Sequence, residues 1–395
     1  MVESGLLLFA IAATASFCGT HVVLKTAVGH GWIGHRFQHH LPGGAVPRLG
    51  GVAIFTAIAL AVLAGESSST SAEPQRLAAV LLASACVFFV GVVDDCRGLA
   101  AWTKFTMEIV AGLILYVAGL RLTNLGFVNL GPSSRLGLPL TVFWVVSVTN
   151  ALNLVDGLDG LAGGLGVISA LSFAYAGYFL SLPALMILGV AVAGAFAGFL
   201  PLNFSPAQIF MGDGGSLVLG TALSGMAILL SQQPRNHAGI ATSAMFLAVP
   251  ALDVLLAFLR RLLKGKSIFE PDCEHLHHKL LLKGFSVRAS AVALYAAAGL
   301  FSLTVFSILH WPASSTAALT SMAAITAAGL VYLGYHHYLL PVRSRRDALA
   351  TKVATGEELR QLCIAHSDPE MDDVISPPSW EYDSHTYADH RSFTD

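Results

Sequence analysis

Eleven long apolar blocks dominate this sequence, at 5–25, 49–65, 77–93, 105–120, 138–153, 163–180, 184–200, 214–231, 240–259, 290–308 and 317–336. Lipid offers no partners to backbone N–H and C=O groups. A chain that crosses it is therefore either a closed barrel or helical, with about 20 mainly apolar residues per span. Continuous apolar blocks exclude the barrel and predict an all-α, polytopic integral membrane protein with ten to eleven transmembrane helices. Tilt and local thinning of the bilayer accommodate the shorter blocks. Charge divides the chain in the same sense. Of 22 Lys and Arg and 24 Asp and Glu in 395 residues, 17 lie in 341–395, which leaves 29 for the first 340; a soluble domain carries about 25%. The expected organisation is a membrane domain over 1–336 and a polar, acidic, disordered tail over 337–395. The first block lacks a basic flank and contains Glu3, so it reads as a retained span rather than a cleaved signal.

Basic residues set the expected orientation. Lys25 and the loops 26–48, 94–104, 154–162, 201–213 and 260–289 together hold 12 Lys or Arg, whereas the opposite face holds Arg76, Arg121, Arg135 and Arg235. This places the N-terminus outside and the C-terminus in the cytoplasm. All seven Asp residues before the tail fall at or near the cytoplasmic face: Asp94, Asp95, Asp156, Asp159, Asp213, Asp253 and Asp272. Carboxylates beside a bilayer are costly unless they meet water, a cation or polar groups, so any active machinery is expected to face the cytoplasm. A net charge of -2 gives no case for nucleic acid. Five scattered cysteines, Cys18, Cys86, Cys96, Cys273 and Cys363, lack the spacing of a disulfide scaffold or a zinc site.

Four polar segments interrupt the apolar pattern. Asp94 and Asp95 end one block, with Lys104 nine residues beyond the pair; adjacent carboxylates repel unless a cation or a shared proton intervenes. A hard divalent ion suits such oxygens beside phosphates, and helix capping is the alternative. The second segment, 150–164, packs Asn150, Asn153, Asp156, Asp159 and the glycines 157, 160, 163 and 164 at a span end. Its two carboxylates, three residues apart, would share a face of a helical turn. In the third, Gly212, Asp213, Gly214, Gly215 and Ser216 open a new block, either as an N-cap or as local N–H groups forming a small anion-binding surface around a metal-holding carboxylate. The fourth, 260–288, combines basic residues with His275, His277 and His278. His275 and His278 could share a helix face, with His277 pointing elsewhere. Glu108 would pair with Lys104 at i,i+4 or support the site, and Asp253 would be a buried hydrogen-bond partner. Arg48, in a Pro- and Gly-rich access loop, is either a phosphate contact or a positive-inside anchor.

Taken in order, DDxxxLxxxxK at Asp94–Lys104, NxxNxxDGLDGLxxG at Asn150–Gly164, FMGDxGSLxLG at Phe210–Gly220 and HLHH at His275–His278 resemble the polyprenyl-phosphate N-acetylhexosamine-1-phosphate transferases over about 1–336. The resemblance implies transfer of a sugar 1-phosphate from a UDP-sugar to undecaprenyl phosphate with release of UMP, dependent on Mg2+ or Mn2+. It implies Asp213 as metal ligand, with Asp94 and Asp95 beside it, and Asp94 as the group that orients or deprotonates the lipid phosphate. Asp95, Lys104, Asn153, Asp156 and Asp159 would line the cleft; Arg48, Asn150, Gly212, Ser216 and the three histidines would bind substrate. The composition of the histidine loop resembles that of enzymes using UDP-GlcNAc, which initiate O-antigen, enterobacterial common antigen or teichoic acid synthesis. The alternatives are a phospho-N-acetylmuramoyl-pentapeptide transferase, or a transporter. A homodimer is compatible with the sequence.

Overall fold

The structure, a computed structural model, describes residues 2–30, 46–68, 73–126, 128–131, 134–233, 239–263, 275–310 and 313–339. The acidic tail and Asp272 lie outside the described residues. Thirteen helices occupy them: α1 (Val2–Gly29), α2 (Gly50–Ser68), α3 (Pro74–Arg97), α4 (Ala101–Val117), α5 (Gly137–Val155), α6 (Leu161–Phe179), α7 (Pro183–Asn203), α8 (Gly212–Ser231), α9 (Ile240–Phe246), α10 (Ala248–Leu263), α11 (Leu276–Leu282), α12 (Val287–His310) and α13 (Ala313–Leu339). Among the described residues eight are long and apolar enough to cross a membrane, namely α1, α2, α3, α5, α6, α7, α8 and α12, and α9 with α10 would make a ninth span bent by 92°.

The other two predicted blocks also lie on helices, but shorter apolar ones. α4 stops at 17 residues because Gly119 takes φ +87 and Leu120 N–H turns back to Leu115 O at 2.9 Å, a glycine ending that satisfies the last carbonyls. In α13 the apolar stretch is Thr320–Leu333. The bend in the ninth block falls at Leu247, and Pro250 sits in the first turn of α10, where a missing N–H costs no helical bond.

α8 is the central helix. Apart from Asp213 all its residues are buried, and α2, α3 and α5 pack around it. Glycine makes that packing close enough to bring polar helix ends together. A Cβ on Gly91 of α3 would stand 2.6 Å from Gly214 N and 2.7 Å from Asp213 C and O, and one on Gly51 of α2 would run into Gly215 N. The obstacles are backbone atoms, which cannot rotate away. Gly91→Leu is therefore expected to force α3 off α8, costing about 1–3 kcal/mol. A lowered melting temperature in detergent together with lost activity would show it; an unchanged melting temperature would refute the close-packing argument.

Candidate active site

The polar segments meet at one end of this bundle. Successive residues of a helix point about 100° apart, so Asp94 and Asp95 at the end of α3 serve different neighbours. Asp95 turns to α8: its Oδ1 accepts Asp213 N–H and its Oδ2 accepts Gly214 N–H, each at 2.9 Å. Gly215 N–H goes to Met211 O at 3.2 Å. The N–H groups of Asp213, Gly214 and Gly215, expected to form part of an anion-binding surface, are thus taken, and the glycine pair serves helix packing. Asp94 turns to α4: its Oδ1 accepts Leu99 N–H, and its Oδ2 meets Lys104 Nζ at 3.1 Å. The same Nζ lies 2.6 Å from Asp213 Oδ2. One ammonium therefore joins the ends of α3 and α8.

Lys104 is drawn to those two carboxylates, and Glu108, expected to pair with it, is instead engaged by Asn150. Glu108 is buried and accepts from Asn150 Nδ2, which also donates to Val146 O at 2.9 Å. One turn on, Asn153 Nδ2 donates to the buried Ser216 Oγ at 2.9 Å, so α5 is tied to α4 and α8 by its two amides.

Asp156 and Asp159 lie in the turn between α5 and α6. Asp159 Oδ2 accepts Ala207 N–H at 3.1 Å, and Asn203, 2% exposed, accepts Gly160 N–H at 3.1 Å and donates to Ile209 O at 3.0 Å. Gly160 needs its freedom at φ +75, and its carbonyl accepts from Tyr295 Oη of α12 at 2.5 Å. Burial pushes the Asp156 carboxyl well above the ordinary carboxylate range; Arg48 opposes the rise, while Asp213, Asp95 and Asp159 add to it. The loop before α2 completes this end. Pro47 O accepts Phe210 N–H at 2.8 Å, and Gly50 and Gly51 donate to Phe210 O and Met211 O at 3.0 and 2.9 Å. Gly212 is fitted at φ +66, where a side chain would meet Arg48 O and the Asp95 carboxylate.

His277, expected to point elsewhere, lies with the other two histidines. α11 begins at Leu276, so His275 precedes the helix and its ring is free of the helical register. It lies parallel to that of His277, centroids 5.8 Å apart, and His277 is 4.2 Å from His278. Sequence reasoning missed Asn203 and Tyr295. Asn203 lies nine residues before Gly212, where the third segment opens, whereas Tyr295 is one of three aromatics in an apolar block. An apolar cavity of about 580 Å³ between α1, α6, α7 and α12, lined by Phe9, Tyr175 and Phe306 among others, offers no cation to a phosphate.

Among the described residues no three His, Cys, Asp or Glu converge as a ready-made metal centre. The donor set nevertheless fits a hard cation. Asp94 and Asp213 already face one positive charge from two sides, and Asp156 meets an excess of carboxylates. Two carboxylates supplemented by water and substrate phosphate are the usual surroundings of a small divalent ion.

Fold and site together define a polytopic membrane protein with a cluster of carboxylates around one lysine at one end of its helices. Residues 77–231 match Glycosyl transferase family 4. The chain is 32% identical over 288 residues to a probable undecaprenyl-phosphate N-acetylglucosaminyl 1-phosphate transferase of Bacillus subtilis, covering 72% of this chain and 79% of that one. It is 33% identical over 347 residues to decaprenyl-phosphate N-acetylglucosaminephosphotransferase of Mycolicibacterium smegmatis, covering 80% and 85%. To undecaprenyl-phosphate alpha-N-acetylglucosaminyl 1-phosphate transferase of Escherichia coli K12 it is 29% identical over 270 residues, covering 66% and 71%. The chain belongs to the polyprenyl-phosphate N-acetylhexosamine-1-phosphate transferase family within glycosyl transferase family 4, and it is a phospho-sugar transferase.

Proposed function

We propose that this enzyme transfers N-acetylglucosamine 1-phosphate from UDP-GlcNAc to undecaprenyl phosphate, giving undecaprenyl-diphospho-GlcNAc and UMP, as the first membrane step of a cell-envelope polysaccharide. The Lys104 ammonium between Asp94 and Asp213 carries this reading, together with the relatives' shared N-acetylglucosaminyl phosphate chemistry. A lipid phosphate oxygen attacks the sugar-bearing phosphorus. The new P–O bond forms as the bond to the bridging oxygen breaks, and that oxygen leaves with UMP.

Two anions must meet and charge must move onto UMP, so positive charge fixed at the diphosphate is the main requirement. Lys104 supplies it as a point charge. Asp94 is held by Leu99 N–H and Lys104, which supports an orienting role over that of a free base; a phosphate monoester is already ionised at pH 7. Asp94 and Asp213 would hold Mg2+ or Mn2+, with Asp95 fixing α8 beneath them, and the ion would supply Lewis-acid stabilisation. Asn150, Asn153 and Ser216 shape the wall, and Arg48, Asp156, Asp159 and the histidines form the nucleotide end.

The excess of basic residues in 26–48, 94–104 and 260–289 favours a cytoplasmic site, an external N-terminus and a cytoplasmic C-terminus in the plasma membrane, and α4 and α13, added to the other nine spans, would make eleven crossings. Purified enzyme is expected to release UMP from UDP-GlcNAc only with undecaprenyl phosphate and a divalent cation. Turnover of UDP-MurNAc-pentapeptide alone would overturn the sugar assignment, and no UMP with either donor would overturn the reaction.

A further inference from the structure

Asp253 is a buried carboxylate, 2% exposed on α10. Both of its oxygens are spent on the histidine segment. Oδ2 lies 2.9 Å from His275 Nδ1, and Oδ1 accepts Leu276 N–H at 2.7 Å. An ionised carboxylate only accepts, so His275 carries its proton on Nδ1 and turns Nε2 away from Asp253. His277 stacks parallel to that ring, is 1% exposed, and among the described residues its buried Nε2 makes no hydrogen bond. A Cβ on Gly157 would come within 2.9 Å of that nitrogen, so His277 is seated on the turn that carries Asp156 and Asp159. Burial pushes its imidazole down to about 3, and it is a neutral dipole at pH 7.

We propose that Asp253 is a positioning residue: by fixing the Nδ1–H tautomer of His275 it holds the His275–His277 pair against Gly157, in the orientation that receives the nucleoside diphosphate part of the substrate. Asp253 touches no substrate and acts through His275, as second-sphere carboxylates do when they set a ring nitrogen's role. The inference rests on the proposed reaction for the identity of the ligand.

Equilibrium binding of UDP to the purified full chain with Mg2+ tests it without requiring turnover. In Asp253→Asn the amide oxygen still accepts Leu276 N–H, while the amide N–H confronts His275 Nδ1 and moves the ring proton to Nε2. UDP affinity is expected to fall at least tenfold, with the KM for undecaprenyl phosphate and the melting temperature unchanged. His275→Ala is expected to lose as much, and the double variant no more than His275→Ala alone. Wild-type UDP affinity in Asp253→Asn, or losses that add in the double variant, would overturn the proposal. Should Asp253→Asn fail to fold, His275→Asn decides: it keeps an N–H for Asp253 and lacks Nε2, so a tenfold loss is expected and full affinity refutes. A wild-type chain that binds UDP but releases no UMP would sink the reaction while the UDP affinities still judge the clamp.

Discussion

Replacing Asp213 by Asn is expected to lower UMP release by about a thousandfold, or about 4 kcal/mol of transition-state stabilisation, in a protein that still folds. The substitution preserves shape and leaves the backbone N–H of residue 213 donating to Asp95 Oδ1, so the start of α8 stays anchored on α3. What disappears is the carboxylate facing Lys104 Nζ at 2.6 Å. The ammonium is then held by Asp94 alone and shifts towards α3, and one of two carboxylates suited to a cation is gone. Initial rates across a Mg2+ series, with gel filtration and melting as controls for folding, check this. A near-normal rate at low Mg2+ would refute the role given to Asp213. A loss rescued fully by high Mg2+ would confine that role to cation affinity.

How far the sequence could be read follows from which forces act locally. Hydropathy is local, and every apolar block lies on a helix. The bend at Leu247 was hidden because α9 and α10 share one apolar block, with Pro250 as its sole signal. Residue type marked Asp94 and Asp95 as a pair, but their division of labour depends on α8, more than a hundred residues away: one carboxylate joins Lys104 and the other secures the first N–H groups of α8. For the same reason Gly214 and Gly215 looked like open donors, when their value lies in the backbone contacts with α2 and α3. Asp253 and His275 are 22 positions apart, and no periodicity links them; only burial of an acid without a local partner pointed to a distant one.

Lys104→Ala is expected to lower turnover by about a hundredfold to a thousandfold without weakening cation binding, and this pairing of effects separates its role from that of Asp213. With the ammonium gone, Asp94 and Asp213 lose their shared counter-charge. Like charges left close together in partly buried surroundings attract a cation more strongly, so the Mg2+ concentration for half-maximal activity should stay level or fall. The phosphates fare worse, because Lys104 is the sole basic residue of α4 and its point charge has no substitute there. Lys104→Arg keeps the charge but replaces a compact ammonium with a wider planar fork, and is expected to recover only part of the rate. Measuring the rate and its Mg2+ dependence in both variants decides the matter. A raised Mg2+ requirement in Lys104→Ala would mean that the lysine helps to assemble the cation site, and an unchanged rate with unaltered substrate affinity would remove it from the chemistry.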